Sequence, residues 1–91
     1  FSFGRHFTDH WFHSRYLEGK GWYESVIEPY GPIPMDPAAS VLHYGQALFE
    51  GMKAFRQDNG RVVLFRPEYN YNRLCEGAAR LCLESPPKDL F

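Results

Sequence analysis

The chain has 91 residues and a net charge of −1, and 44% of its residues are hydrophobic, which limits it to one domain with a modest core. Ten basic and eleven acidic residues leave no basic excess for binding nucleic acid through its phosphates, and no apolar run approaches the roughly 20 residues of a membrane span. We therefore expect neither a nucleic-acid nor a membrane partner. Aromatic residues make up 18% of the chain. So much aromatic surface on a small core suggests that some of it faces a ligand, a second domain or a partner chain.

The first third of the chain predicts a β-hairpin followed by an irregular stretch. Residues 7–17 are rich in aromatic side chains and contain no Gly or Pro, which favours a strand. Residues 18–21 are typical of a turn, and residues 22–28 are the returning strand. Four prolines between Pro29 and Pro37 exclude regular structure there, because each lacks an N–H donor and restricts its predecessor.

The middle of the chain predicts a short helical turn and a second hairpin. Asp36 before Pro37 has the pattern of an N-cap, with one turn of helix through Ser40. Residues 48–56 are extended in character, and residues 58–60 (Asp-Asn-Gly) predict a tight turn because Asn and Gly accept positive φ. The strand that follows, residues 61–65, contains an unbroken apolar run, which indicates cover on both faces. In so short a chain we expect one of those covers to come from outside.

A helix is predicted from Pro67 to about Leu83, and residues 85–87 (Ser-Pro-Pro) end it. Its apolar positions follow the spacing i, i+3, i+4, i+7 and i+11: Tyr71, Leu74, Cys75, Ala78 and Cys82. Two cysteines seven residues apart in a helix lie beyond disulfide reach, so we expect buried thiols in a reducing compartment. The order β-β-loop-β-β-α predicts an α+β fold built on an antiparallel sheet, with hairpins and a C-terminal helix.

Patterns for several kinds of site are incomplete. Residues 45–53 have five residues between two glycines and no Ser or Thr after the lysine, which argues against a nucleotide phosphate loop. The histidines lack the spacing and the cysteine partners of a zinc site, and no serine lies in a nucleophile motif. Arg73, on the flank of the predicted helix, carries the side chain best suited to gripping a phosphate, although most such arginines are solvated.

Six sequence blocks, in order and with compatible spacing over about residues 3–83, resemble branched-chain amino-acid aminotransferases. They are Phe3-Gly4-Arg5, Phe7-Thr8-Asp9-His10, Lys20-Gly21-Trp22, Leu42-His43-Tyr44-Gly45-Gln46, Leu48-Phe49-Glu50-Gly51-Met52-Lys53-Ala54-Phe55 and Leu64-Phe65-Arg66-Pro67, and Leu81-Cys82-Leu83 fits as well. No single block is decisive, but six in order are highly specific.

The resemblance implies a fold-type IV enzyme that uses pyridoxal 5'-phosphate to move amino groups between Leu, Ile or Val and 2-oxoglutarate. It implies that Arg73 binds the cofactor phosphate and that Phe3, Tyr44 and Phe49 line the substrate pocket. It also implies a homodimer, in which Tyr44 can serve the neighbouring subunit's site. A dry aromatic box suits an aliphatic substrate, because rings enclose it with little loss of entropy.

The resemblance further implies that residues 1–84 are the N-terminal small domain and that residues 85–91 begin the linker to a C-terminal large domain. No lysine here matches the family's catalytic context, so we expect no catalytic residue in this chain and no turnover by the chain alone. We expect a cytoplasmic location and leave a mitochondrial one open. Another fold-type IV enzyme (D-amino-acid aminotransferase or aminodeoxychorismate lyase) and a non-catalytic interaction module remain as alternatives.

Overall fold

Two antiparallel hairpins and a C-terminal helix make up the fold, as described for residues 4–91 of this computed structural model. The elements are β1 (His10–Leu17), β2 (Gly21–Pro29), α1 (Ser40–His43), β3 (Ala54–Arg56), β4 (Val62–Leu64) and α2 (Pro67–Arg80). The predicted α+β class is confirmed. The strands form two separate two-stranded sheets rather than one. They belong to two compact units, Phe1–Asp36 and Pro37–Phe91.

The first unit is built on the hairpin of β1 and β2. Its turn is closed by a hydrogen bond from Lys20 N to Leu17 O (3.0 Å), and Gly19 has a φ of 85°, which glycine adopts without strain. The strands pair antiparallel over residues 10–17 and 21–29, so the first begins three residues later than predicted. The register shifts between His13 and Arg15, and Glu24 opposite this point has a φ of 52°. The result is a β-bulge, which sequence patterning did not indicate.

The second unit begins with α1, which starts at Ser40 rather than ending there as predicted. A helix starting at Pro37 would use the Pro37 carbonyl to accept from the backbone four residues on. In the structure that carbonyl accepts instead from His43 Nε2 at 2.6 Å. The predicted one-turn helix from Asp36 is therefore wrong in its position.

The hairpin of β3 and β4 turns at residues 57–60, as the Asp-Asn-Gly sequence predicted. Gln57 and Arg61 bond across the turn (N to O, 2.7 Å), and Gly60 takes a φ of 85°. Asn59 Oδ1 accepts from Arg61 N at 2.9 Å, so the turn residue also satisfies a backbone donor. Each strand is only three residues long, because the regular pairing ends at Ala54 and Leu64.

Helix α2 ends at Arg80, three residues before the predicted end. Leu83 N donates to Ala78 O (2.8 Å) and Cys82 N donates to Ala79 O (3.3 Å), the pair of bonds that defines a Schellman motif. Cys82 lies at the left-handed position of this motif, with a φ of 57°. Its side chain is exposed, so the expectation of a buried thiol is wrong for Cys82; Cys75 is half-buried, and both cysteines are free.

Little of the described chain is buried. Among residues 4–91 only Ala78 is buried with an apolar side chain; of the other residues in the predicted helix stripe, Tyr71, Leu74 and Cys75 are half-buried and Cys82 is exposed. Residues 62–65 are exposed apart from Val63, so within residues 4–91 this run is not covered on both faces. The accessible surface is 8088 Å², whereas two separate compact bodies of the units' masses would together expose about 6,600 Å². Much apolar surface therefore remains available for contact.

Candidate functional site

The segment between α1 and β3 lies along one face of α2. Gln46 Nε2 donates to Leu81 O at 2.7 Å, and Glu50 binds the side chain of Arg73. Burial alternates along this segment: residues 46, 48 and 50 are half-buried, and residues 45, 47, 49 and 51 are exposed. This period of two is that of an extended chain, in which side chains point alternately to opposite faces. The half-buried residues of this segment, Gln46, Leu48 and Glu50, are therefore the ones that contact α2.

Gly77 allows this close approach at the centre of the segment. A Cβ added to Gly77 would lie 2.6 Å from Leu48 Cδ1, well inside van der Waals contact. Two extended residues cover about 6.6 Å and four helical residues about 6.0 Å. The segment therefore advances in step with the helix, from Gln46 at the end of α2, through Leu48 at Gly77, to Glu50 at Arg73.

Glu50 is the anchor of the site. Its side chain is only 5% exposed, and its carboxylate accepts from four donors. Arg73 donates through Nε to Oε2 (2.7 Å) and through Nη2 to Oε1, Asn70 Nδ2 donates to Oε1 at 2.9 Å, and Gly51 N donates to Oε1 at 3.1 Å. Asn70 Nδ2 also donates to Gly51 O at 3.0 Å.

These bonds stabilise the charged form of the carboxyl group. The hydrogen bond from Arg73 is the largest cause, and those from Asn70 and Gly51 add to it, so the pKa of Glu50 falls to about 2. The same contact raises the pKa of Arg73. Both groups are therefore ionised at neutral pH, and the pair is a charge-assisted, bidentate one.

The structure brings together two of the predicted site residues. Arg73 and Phe49 line one shallow cavity of about 330 Å³, together with Leu48, Glu50, Glu76, Gly77 and Arg80. Phe49 is 76% exposed. Tyr44 is 87% exposed and lies next to the end of α1, outside the cavity lining. Phe3 lies outside the described residues.

The sequence interpretation missed Glu50 and Asn70. A signal for Asn70 was present: with Arg73 and Gly77 it follows the spacing i, i+3 and i+7, a second face of the helix beside the apolar one. Nothing local marked Glu50 as the partner of that face, because it lies 23 residues before Arg73.

None of Lys20, Lys53 and Lys88 lines this cavity. Within residues 4–91 no group of three or more His, Cys, Asp or Glu side chains is arranged to hold a metal ion. In the same part of the chain, no helix combines the length and the apolar character needed to cross a membrane.

Comparison with known proteins identifies the family. No family model matches the chain. It is 52% identical over 87 residues (96% of the chain) to branched-chain-amino-acid transaminase 1 of Bacillus subtilis (strain 168), of which it covers 24%. It is 55% identical over 82 residues to branched-chain-amino-acid aminotransferase 2 of the same organism (90% of the chain, 23% of the relative). It is 47% identical over 89 residues to a probable branched-chain-amino-acid aminotransferase of Streptomyces coelicolor (98% of the chain, 25% of the relative).

All three relatives are aminotransferases by name. The chain belongs to the branched-chain amino-acid aminotransferase family, and it spans about a quarter of the length of the curated relatives it matches. The resemblance seen in the six sequence blocks is thereby confirmed.

Proposed function

We propose that this chain is the small N-terminal domain of a pyridoxal-phosphate-dependent branched-chain aminotransferase. In that role it lines the substrate pocket and holds the cofactor phosphate through Arg73. The observation that carries the proposal is the identity of about half of all residues over nearly the whole chain. The proposed reaction moves an amino group between Leu, Ile or Val and 2-oxoglutarate.

The residues of the cavity fit a phosphate group. A guanidinium has five N–H donors. Arg73 directs donors on Nε and Nη2 to Glu50, which leaves the edge formed by Nη1 and Nη2 for a second anion. The Arg73 side chain is 56% exposed, so this edge is accessible. When bound, pyridoxal phosphate would supply the electron sink for amino transfer, and this chain's part is to hold and orient it.

The exposed rings support the substrate part of the proposal. Phe49 follows Leu48 and precedes Glu50, and it lines the same cavity as Arg73, so a ligand held at Arg73 would lie close to it. Tyr44 presents nearly its whole ring. We assign Phe49, Tyr44 and Phe3 to the walls of an aliphatic pocket whose remaining sides come from other parts of the protein. Tyr44 would reach the neighbouring subunit's site in a homodimer.

The uncovered apolar strand supports a larger assembly. Val62, Leu64 and Phe65 are exposed in this chain. Burial of an apolar side chain stabilises by roughly 1.5–3 kcal/mol, so a cover over these three would stabilise the domain substantially. We assign that cover to the large domain, with residues 85–91 leading towards it.

A hybrid enzyme tests the proposal. The matching segment of Bacillus subtilis branched-chain-amino-acid aminotransferase 2 is replaced by this chain, and the hybrid is assayed with leucine, 2-oxoglutarate and pyridoxal phosphate. We expect cofactor binding and transamination by the hybrid, and no turnover by the 91-residue chain alone. A folded hybrid that does not transaminate leucine would overturn the proposal, as would turnover by the isolated chain.

The role of Arg73 is tested in the hybrid by Arg73→Ala. Loss of a charge-assisted hydrogen bond to phosphate should weaken cofactor binding by about tenfold to a hundredfold. The apo hybrid is titrated with pyridoxal phosphate and followed by its absorbance. Arg15→Ala is the matched control, because Arg15 is 54% exposed and also pairs with a carboxylate, that of Glu24. If Arg73→Ala changes the affinity by less than twofold, the assignment to Arg73 is wrong.

A further inference from the structure

Two arginine–glutamate pairs in this chain differ in kind. Arg15 and Glu24 make one contact of 3.3 Å between two side chains that are both largely exposed. Arg73 and Glu50 make a bidentate contact in which the carboxylate is almost wholly enclosed and the guanidinium is half-exposed. An exposed pair contributes little and fixes neither partner. In the second pair Glu50 is held in place by the protein, and Arg73 is exposed to solvent.

Glu50 is fixed independently of Arg73. Asn70 and the backbone N–H of Gly51 both donate to its Oε1, and Asn70 belongs to the same helix as Arg73. The carboxylate is therefore held against α2 before any ligand arrives. Arg73, attached to that helix one turn further on, meets an immobile acceptor.

The orientation of the Arg73 guanidinium follows from which of its nitrogen atoms donate to Glu50. Nε and Nη2 lie on one edge of the planar group, and both point at Glu50. The edge formed by Nη1 and Nη2 then points away from the carboxylate. An anion bound there is separated from the Glu50 carboxylate by the guanidinium itself, which reduces the repulsion between the two anions.

We propose that Glu50 is a positioning residue for cofactor binding: its enclosed carboxylate locks the Nε edge of Arg73 so that the other edge is presented to the cofactor phosphate. This inference rests on the proposed function. Glu50 touches neither the cofactor nor the substrate, and it acts only through Arg73. Its effect is to spare the arginine the loss of rotamer freedom that would otherwise oppose phosphate binding.

The test uses the apo form of the hybrid enzyme with two probes, pyridoxal 5'-phosphate and pyridoxal, which lacks the phosphate. Immobilising one flexible side chain corresponds to about twofold to tenfold in affinity, so Glu50→Gln should weaken pyridoxal phosphate binding by that factor. Binding of pyridoxal should not change. Glu50→Asp keeps the charge on a shorter side chain, and its affinity should lie between those of the hybrid and Glu50→Gln.

A double-substitution cycle separates positioning from general support of the fold. If Glu50 acts through Arg73, adding Glu50→Gln to Arg73→Ala should cause no further loss of affinity for pyridoxal phosphate. Circular dichroism and thermal melting confirm that each variant is folded; should Glu50→Gln not fold, Glu50→Asp carries the same comparison.

Three results would overturn the inference. They are an equal loss of affinity for both probes, an additive loss in the double variant, and tighter binding of pyridoxal phosphate by Glu50→Gln. The last would mean that the carboxylate competes with the phosphate instead of orienting its partner. These outcomes are distinct from failure of the proposed function, which shows as a folded hybrid without transamination or as turnover by the isolated chain, and from failure of the Arg73 assignment, which shows as an unchanged affinity in Arg73→Ala.

Discussion

The close approach of Leu48 to Gly77 predicts how Gly77→Ala changes the free energy of unfolding, through a gain in helix propensity and a cost of overpacking. Replacing a helical glycine by alanine stabilises a helix by about 1 kcal/mol. Here the new Cβ would lie 2.6 Å from Leu48 Cδ1, so Leu48 must retreat by about 1 Å to reach ordinary contact distance. Overpacking of this kind costs about 1–3 kcal/mol.

Leu48 has little freedom to retreat by moving its backbone. The residue two positions earlier, Gln46, is bonded to Leu81 O, and the residue two positions later, Glu50, is bonded to Arg73. Only rotation of the leucine side chain is left. We therefore expect Gly77→Ala to be neutral or destabilising by up to about 2 kcal/mol in the native background. In a Leu48→Ala background it should be stabilising by about 1 kcal/mol.

The difference between the two backgrounds is a coupling free energy of about 1–3 kcal/mol. It is measured by urea unfolding of the four variants of the 91-residue chain, followed by circular dichroism in a stabilising osmolyte. Ala79→Gly, at an exposed position of the same helix, calibrates the propensity difference alone. Equal effects of Gly77→Ala in the two backgrounds would refute the close approach of the segment to the helix.

Two further predictions concern the helix end and pH. Cys82→Gly should stabilise the chain by about 1 kcal/mol in urea unfolding, because glycine adopts the φ of 57° at this position without the strain of a Cβ. Cys75→Gly, the control inside the helix, should destabilise the chain by about as much or more. A destabilised Cys82→Gly variant would show that the Cys82 thiol makes a contact that the fold needs. Because folding lowers the pKa of Glu50 from 4.5 to about 2, its stabilising effect is complete above pH 4.5 and disappears as the pH falls towards 2. The melting temperatures of the native chain and Glu50→Gln should therefore differ at pH 6 and converge by pH 2, and a constant gap would contradict this linkage.

Local chemistry explains which elements could be predicted. The Asp-Asn-Gly sequence specifies the tight turn between β3 and β4, because Gly60 takes a positive φ without strain and the Asn59 side chain accepts from Arg61 N. The spacing of apolar residues after Pro67 likewise specifies α2. The errors fall at element ends. The Pro37 carbonyl accepts from a histidine side chain and α1 begins only at Ser40, and α2 stops early where a Schellman motif forms without glycine.

Two residues of the candidate site, Arg73 and Phe49, could be predicted from the sequence, but their arrangement in space could not. Arg73 and Phe49 follow from a linear resemblance, since Phe49 lies within one of the matching sequence blocks and Arg73 lies six residues after the end of another. That they line one cavity depends on the path of residues 46–50 along the helix. Tyr44 does not line that cavity in this chain, and its place in a complete pocket stays a prediction.

The sequence by itself determined the family, the two hairpins and the helix, because these depend on residue order, turn chemistry and periodicity within short stretches. Only the tertiary structure decided that Glu50 holds Arg73 across 23 residues and that Gly77 admits Leu48 across 29 residues. A carboxylate becomes enclosed, and a glycine becomes a contact point, only when distant segments meet. The physical reason is that hydrogen bonding and close contact depend on distance in space, which spacing along the chain does not specify.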